Sequence, residues 1–137
     1  MVKDVFVYVQ TLITLIGGWV GWFLGGIDGF LYALIVFVII DYITGIMVGI
    51  IKRELSSEIG AKGIFKKIFI FIMVAIAHIV DSRLIGDSSV IRTAVIFFYL
   101  SNEGISILEN AARIGLPIPQ KLKNVLAQLR DKGGNEK

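Results

Sequence analysis

Apolar residues in this chain fall into four long runs, separated by short polar or glycine-rich breaks. The runs cover about residues 5–25, 30–51, 64–85 and 90–112. A helix needs about 20 mostly apolar residues to cross a bilayer, and each run has that length. The pattern predicts an all-α integral membrane protein with four transmembrane helices. The breaks agree with it. Gly25-Gly26-Ile27-Asp28-Gly29 is a tight connection, and Ser82–Ser89 is rich in turn formers. Gly115-Leu116-Pro117-Ile118-Pro119 ends the fourth helix, because proline cannot continue a helix and restricts the residue before it. Beyond it, Leu122, Val125, Leu126 and Leu129 recur at the spacing of a short amphipathic helix, with Lys121, Lys123 and Arg130 around them. Residues 131–137 read as a frayed polar end. The expected organisation is a transmembrane domain over 1–116 and a basic amphipathic tail over 117–137.

The runs differ in strength. On an insertion scale, each apolar residue contributes about −0.3 to −0.6 kcal/mol and a mid-helix charge costs about +2.5 to +3.5. The fourteen Leu, Ile, Val and Phe of the second run give roughly −7 kcal/mol and outweigh its one Asp41. The ten of the fourth run give roughly −5 kcal/mol, set against Arg92, Asn102, Glu103 and Glu109. Alone, the fourth helix is marginal, and it needs its neighbours to span.

Charge sets the orientation. Cytoplasmic segments are enriched in Lys and Arg. With four spans and both ends inside, twelve of the fourteen basic residues lie on one side, and only Arg83 and Arg92 lie toward the other. The expected topology is N-in and C-in. Lys3 is followed at once by Asp4 and no small-x-small site follows the first run, which therefore reads as a retained span rather than a signal peptide.

Composition narrows the chemistry. The chain has 137 residues, 55% hydrophobic and 18% charged, against about 45–50% and about 25% in soluble domains. Its mean hydropathy is +0.79. With no Cys and one His, it has no material for a disulfide framework or a thiolate or histidine metal centre. No phosphate-cradling loop or nucleophile elbow appears. No catalytic residue, metal or cofactor is expected, and the chain reads as a non-enzyme. The basic segment Lys52–Lys67 and the basic tail read as inside-facing charges that attract anionic lipid, not as a nucleic-acid site.

Ionisable residues within membrane spans are costly and are functional candidates by default. They are Asp41 in the second span, His78 and Asp81 in the third, and Arg92, Glu103 and Glu109 in the fourth. At about 100° per residue, Arg92, Tyr99, Asn102, Glu103, Ser106, Glu109, Asn110 and Arg113 share one face of the fourth helix. Such a stripe must meet protein or water. It lines a pore, faces a second subunit, packs against the other three helices, or marks a helix lying partly in the interface. Asp41 reads as a lumen or proton-sensitive group, or as a paired structural carboxylate. Asp81 and Arg92 are a plausible pair, and a proton relay through Asp41, His78 and Asp81 is conceivable. Gly17, Gly21 and Gly25, and likewise Gly45 and Gly49, repeat every fourth residue, the spacing that lets membrane helices approach closely. Trp19, Trp22 and Tyr32 fit an interfacial aromatic belt.

Asp41-Tyr42-Ile43-Thr44-Gly45, then Ser56-Ser57, Gly60, Lys62-Gly63-Ile64-Phe65-Lys66-Lys67 and Asp81, resemble the central block of the phage-lysis and toxin-secretion holins. Asn102-Glu103-Gly104-Ile105-Ser106-Ile107-Leu108-Glu109-Asn110, followed by Gly115-Leu116-Pro117-Ile118-Pro119, resembles that family's C-terminal signature. The resemblance covers roughly 30–129. It implies a homo-oligomer that opens lesions in the cytoplasmic membrane and so releases an endolysin, or in relatives a large toxin, without substrate turnover. The fourth-span stripe is then the best candidate for the wetted or subunit-facing surface. The rival readings are a small four-span exporter, disfavoured because the first span carries only Gln10, Thr11 and Thr14, and a non-lytic membrane adaptor.

Overall fold

A computed structural model describes residues 1–134, with side chains through 128. Five helices follow in order: α1 Val2–Phe23, α2 Gly29–Ile51, α3 Ser57–Ile79 prolonged by a π-helical stretch Val80–Ile85, α4 Val90–Ile114 and α5 Gln120–Gly134. No strand occurs among the described residues. The first four helices are long and apolar enough to cross a membrane, as the hydropathy pattern predicts.

Three boundaries depart from that pattern. Helix α3 begins at Ser57 rather than near 64, because the Ser56 hydroxyl caps it by accepting the Ile59 N–H at 3.2 Å. Lys62, Lys66 and Lys67 therefore sit on a helix and not in a loop. At its far end the helix runs on to Ile85, which shortens the expected Ser82–Ser89 loop to four residues, Gly86–Ser89. Helix α5 extends to Gly134, so 131–134 are helical rather than frayed. Residues 135–137 and the side chains of Leu129 and Arg130 lie outside the description.

Helices α2, α3 and α4 form the body, and each turns one seam inward. The seam of α2 is Leu31, Leu34, Val38, Asp41, Gly45 and Val48. That of α3 is Gly60, Gly63, Lys67, Ile70, Val74, Ala77 and Asp81. That of α4 is Arg92, Ile96, Tyr99, Glu103, Ser106 and Asn110. All of these are buried or half-buried. In each seam the steps alternate between three and four residues, the spacing that keeps one stripe facing a partner along long, nearly aligned helices. The apolar middle of the body is Leu31, Leu34, Val38, Ile70, Val74 and Ile96.

Helix α4 is central. It meets α2, α3 and α5, and from Ile91 to Ala111 only Glu109 is exposed. The marginal insertion of its sequence has its answer here: its polar groups face protein. Helix α1 is the opposite case. From Val2 to Phe23 only Gly21 is buried. Helix α5 folds back onto α4, where buried Leu126 sits over Gly104.

A polar clasp closes one end of the body. Asp28 caps α2, its Oδ1 accepting the Leu31 N–H at 2.9 Å. From α4, the Arg92 guanidinium donates to Asp28 Oδ2 at 2.8 Å, to the Leu24 carbonyl at 2.7 Å and to the Gly26 carbonyl at 2.7 Å. The expected Asp81–Arg92 side-chain pair does not form, because the guanidinium is spent on the α1–α2 turn. Asp81 instead accepts the backbone N–H of Ile91 at 3.2 Å and of Arg92 at 2.7 Å. It thereby caps α4 from a neighbouring helix, where Ser89 offers no side-chain cap. The π-helical stretch starts beside Asp81, whose carbonyl accepts the Gly86 N–H at 2.8 Å. Gly25, at φ +91°, is packed beneath: a Cβ there would stand 2.7 Å from Arg92 Nε and 2.7 Å from His78 Nδ1. Gly25 is thus a turn residue and not part of a helical glycine face.

Gly25→Ala and Gly26→Ala both force a side chain into positive φ, which costs roughly 1–2 kcal/mol, but nothing lies within 4 Å of a Cβ on Gly26. Thermal unfolding in detergent will therefore show a larger loss for Gly25→Ala. Partial burial raises the Asp28 pKa, but the Leu31 N–H and the Arg92 guanidinium lower it by more, so the group ionises below its ordinary 3.8. The stabilisation from this depressed pKa is complete above 3.8 and fades as pH falls through the folded-state value. The stability gap between the unaltered chain and Asp28→Asn will accordingly hold at neutral pH and shrink only on acidification below 3.8.

Candidate functional site

Three charged residues, one from each seam, meet about halfway along the body. Lys67 Nζ on α3 donates to Asp41 Oδ2 on α2 at 2.6 Å and to Glu103 Oε2 on α4 at 2.6 Å. The side chains are 17% exposed for Lys67, 9% for Asp41 and 10% for Glu103. Asn110 completes the network, its amide donating to Asp41 Oδ1 at 3.1 Å and to the Thr44 hydroxyl at 3.0 Å. Two carboxylates thus share one ammonium, and every one of the three body helices supplies one charge. In a low-dielectric interior such charges are tolerated only when paired and hydrogen-bonded. No buried side-chain polar atom among the described residues lacks a partner.

The surrounding motif residues exist to bring the helices close enough. Tyr42, next to Asp41, lays its ring on α3 where Gly63 has no side chain; a Cβ there would stand 3.3 Å from the ring. Its hydroxyl donates to the Gly60 carbonyl at 3.2 Å. A cleft of about 230 Å³ leads to the network from the α2–α3 connection, lined by Gly45, Leu55, Ile59, Gly60, Ser106 and Asn110 among others. Water occupies about 30 Å³ per molecule in the liquid, so the cleft has room for several. The pairing is therefore buried on the clasp side and approached by a polar-floored cleft on the other.

The sequence profile of the bacteriophage holin family matches residues 18–131. The chain belongs to that family. It is 41% identical over 130 residues to an uncharacterized 14.9 kDa protein in the nagH 3′ region of Clostridium perfringens, covering 95% of this chain and 98% of that one. An uncharacterized Listeria innocua protein is 47% identical over 116 residues, with 85% and 82% covered. A protein of Bacillus phage phi105 named probable holin is 37% identical over 90 residues, with 66% of each chain covered. No solved structure matches. With this family and four apolar spans, the protein is a multi-pass membrane protein in contact with lipid.

In this holin-family chain the residues singled out by sequence divide into distinct places. Asp41, Glu103 and Asn110 join the network, and Ser106 lines its cleft. Tyr99 packs against the apolar middle. Arg92 and Asp81 belong to the clasp, and His78 lies against Gly25 beside Arg92. Asn102 is half-buried, while Glu109 is exposed. Arg113 pairs with Glu54 at 3.0 Å across the connections at the cleft end. Asp41 lies about thirteen residues along α2 from the clasp, about 20 Å at ~1.5 Å per residue, with the apolar middle between. The conceivable relay through Asp41, His78 and Asp81 is therefore broken. Among the glycines, Gly45 faces Asn110 and Gly49 faces Leu55, Gly21 faces Ile27, and Gly17 has nothing within 4 Å.

Lys67, Gly60, Gly63 and Gly104 stand within the family motifs, but sequence reading gives none of them a place in a site. Lys67 sat beside Lys62 and Lys66 and read as a topology charge. A signal was present: Gly60, Gly63, Lys67, Ile70 and Val74 keep one three–four phase.

Removing one partner from a buried pair costs roughly 3–5 kcal/mol, whereas removing all the charges together is often neutral. Lys67→Met will accordingly lower the unfolding temperature in detergent sharply, and Lys67→Met with Asp41→Asn and Glu103→Gln will recover most of it. Equal losses in the single and triple variants would show that the charges are not coupled.

Proposed function

We propose that this protein acts as a holin: it accumulates in the bacterial cytoplasmic membrane as a homo-oligomer, with its N-terminus and the α2–α3 and α4–α5 connections inside, and opens lesions through which an endolysin reaches the cell wall. Family membership supports the class of activity, and the Asp41–Lys67–Glu103 network is the observation that carries the mechanism. A charged core bridging three spans stays shut in a dry bundle and gains hydration wherever water enters. The basic residues around the α2–α3 and α4–α5 connections favour placing that end inside. No cofactor and no turnover enter this reading.

Helix α1 supplies the contact between subunits. Its residues from Val2 to Val20 are exposed, and nothing of the same chain lies within 4 Å of a Cβ on Gly17 or Gly18. Close approach at small residues drives association in lipid, where apolar contact alone gives no advantage. Thr11 and Thr14 donate to their own helix, to the Val7 and Gln10 carbonyls, each at 2.8 Å. That leaves α1 without an ionisable substrate site within the membrane of the kind expected of a small exporter.

The test is induction in a bacterial host, with and without a separately supplied endolysin, while membrane potential and turbidity are followed. The expected result is abrupt loss of potential in both cultures and lysis only with the endolysin. Export of a large toxin without an endolysin would move the cargo to the toxin class. Drug resistance without loss of potential would favour an exporter, and no effect an adaptor. Gly17→Leu, set in open space within the subunit, will leave detergent stability unchanged and delay lysis; lysis on schedule would remove α1 from the interface.

A further inference from the structure

Helix α5 lies in a place that pure lipid cannot tolerate. Leu126 is buried, with its Cδ atoms 3.0 Å from where a Cβ on Gly104 would stand, and Phe37 of α2 closes the same spot at 3.2 Å. Gly104 adjoins Glu103, so α5 reaches the depth of the charged network. It is about eleven residues from Gly115, or about 16 Å from that end of α4 at ~1.5 Å per residue. The glycine is what admits the helix, since any larger side chain would meet Leu126.

The opposite face of α5 is polar. At about 100° per residue, Lys121, Asn124 and Gln128 stand farthest from Leu126, and all three are exposed. Lys123 is exposed on the flank. Over 120–128 the helix carries two lysines and no carboxylate. Acyl chains cannot satisfy Asn124 and Gln128 at this depth, and Lys121 and Lys123 follow on the same helix five and three residues nearer the α4–α5 connection than Leu126. The docked helix therefore needs water along its outer face.

We infer that α5, and not the α4 stripe, lines the aqueous path of the assembly, and that its lysines make that path favour anions. This rests on the lesion-forming reading above. Arg92, Glu103 and Asn110 of the α4 stripe are already committed inside the subunit, to the clasp, Lys67 and Asp41, and only Glu109 and Arg113 at its cleft end are exposed. Rings of lysine or arginine in a pore select for anions.

The chain has no cysteine, so single thiols can be placed cleanly. Full-length Asn124→Cys, Gln128→Cys and Leu126→Cys variants are reconstituted in planar bilayers, and an anionic methanethiosulfonate reagent is added to open channels. The expected result is a loss of conductance for Asn124→Cys and Gln128→Cys and none for Leu126→Cys. In a salt gradient, Lys121→Glu with Lys123→Glu will move the reversal potential from the anion side toward the cation side. Open pores that ignore the reagent at both 124 and 128 overturn the inference and leave the holin reading standing. An unaltered chain that never conducts overturns both.

Discussion

A lysine shared by two carboxylates is the constraint around which this bundle is built. Lys67 reaches Asp41 and Glu103 at 2.6 Å each, and no two of the three charges come from one helix. In lipid the attraction between apolar helix faces is weak, because acyl chains serve them equally well. A buried charge has no such alternative. Its requirement for a partner fixes the depth and rotation of α2, α3 and α4 together, since a one-residue slip along any seam turns its charge out by about 100°. Gly63 and Gly60 make the close approach of α2 and α3 possible, since a Cβ on Gly63 would stand 3.3 Å from the Tyr42 ring and the Tyr42 hydroxyl donates to the Gly60 carbonyl at 3.2 Å.

In α4, polarity and burial run opposite to the order found in soluble proteins. The most polar span, α4, is the most enclosed, and α1 is the barest. The clasp applies the same logic at the other end. Arg92 gathers the α1–α2 turn, and Asp81 supplies the cap that α4 lacks. Between the two polar tiers lies a plain apolar layer, which isolates them from one another. A proton or ion entering by the cleft reaches Asp41 and Lys67, but it meets Leu34, Val38, Val74 and Ile96 before Asp81.

Much of this was legible in the residues. Run lengths gave the spans, glycine and proline gave the turns, and the marginal fourth span pointed to a helix enclosed by its neighbours. What was not legible follows from local ambiguity. A lysine at the end of a basic cluster looks the same whether it faces headgroups or a carboxylate; only its phase with Gly60 and Ile70 separates the two. Asp81 and Arg92 were correctly near each other, but one-dimensional spacing cannot tell a guanidinium partner from two backbone amides. A glycine that admits a distant helix, as Gly104 admits Leu126, leaves no periodic trace of its own.

The network's energetics also set how the bundle would respond to water. A paired charge in a dry interior is held strongly, because separation would leave each group desolvated and alone. The same pair in water is worth at most about 1 kcal/mol. The bundle is thus stiff toward separation in lipid and soft toward separation once hydrated, which is a cooperative property. The first water to reach Lys67 lowers the cost for the next. The cleft beside Asn110 and Ser106 already brings solvent space to the edge of the network. The clasp, with its guanidinium held by backbone carbonyls of a rigid turn, has no comparable entrance. Separation that begins at the cleft end would therefore leave fewer groups unpaired at each step than separation that begins at the clasp.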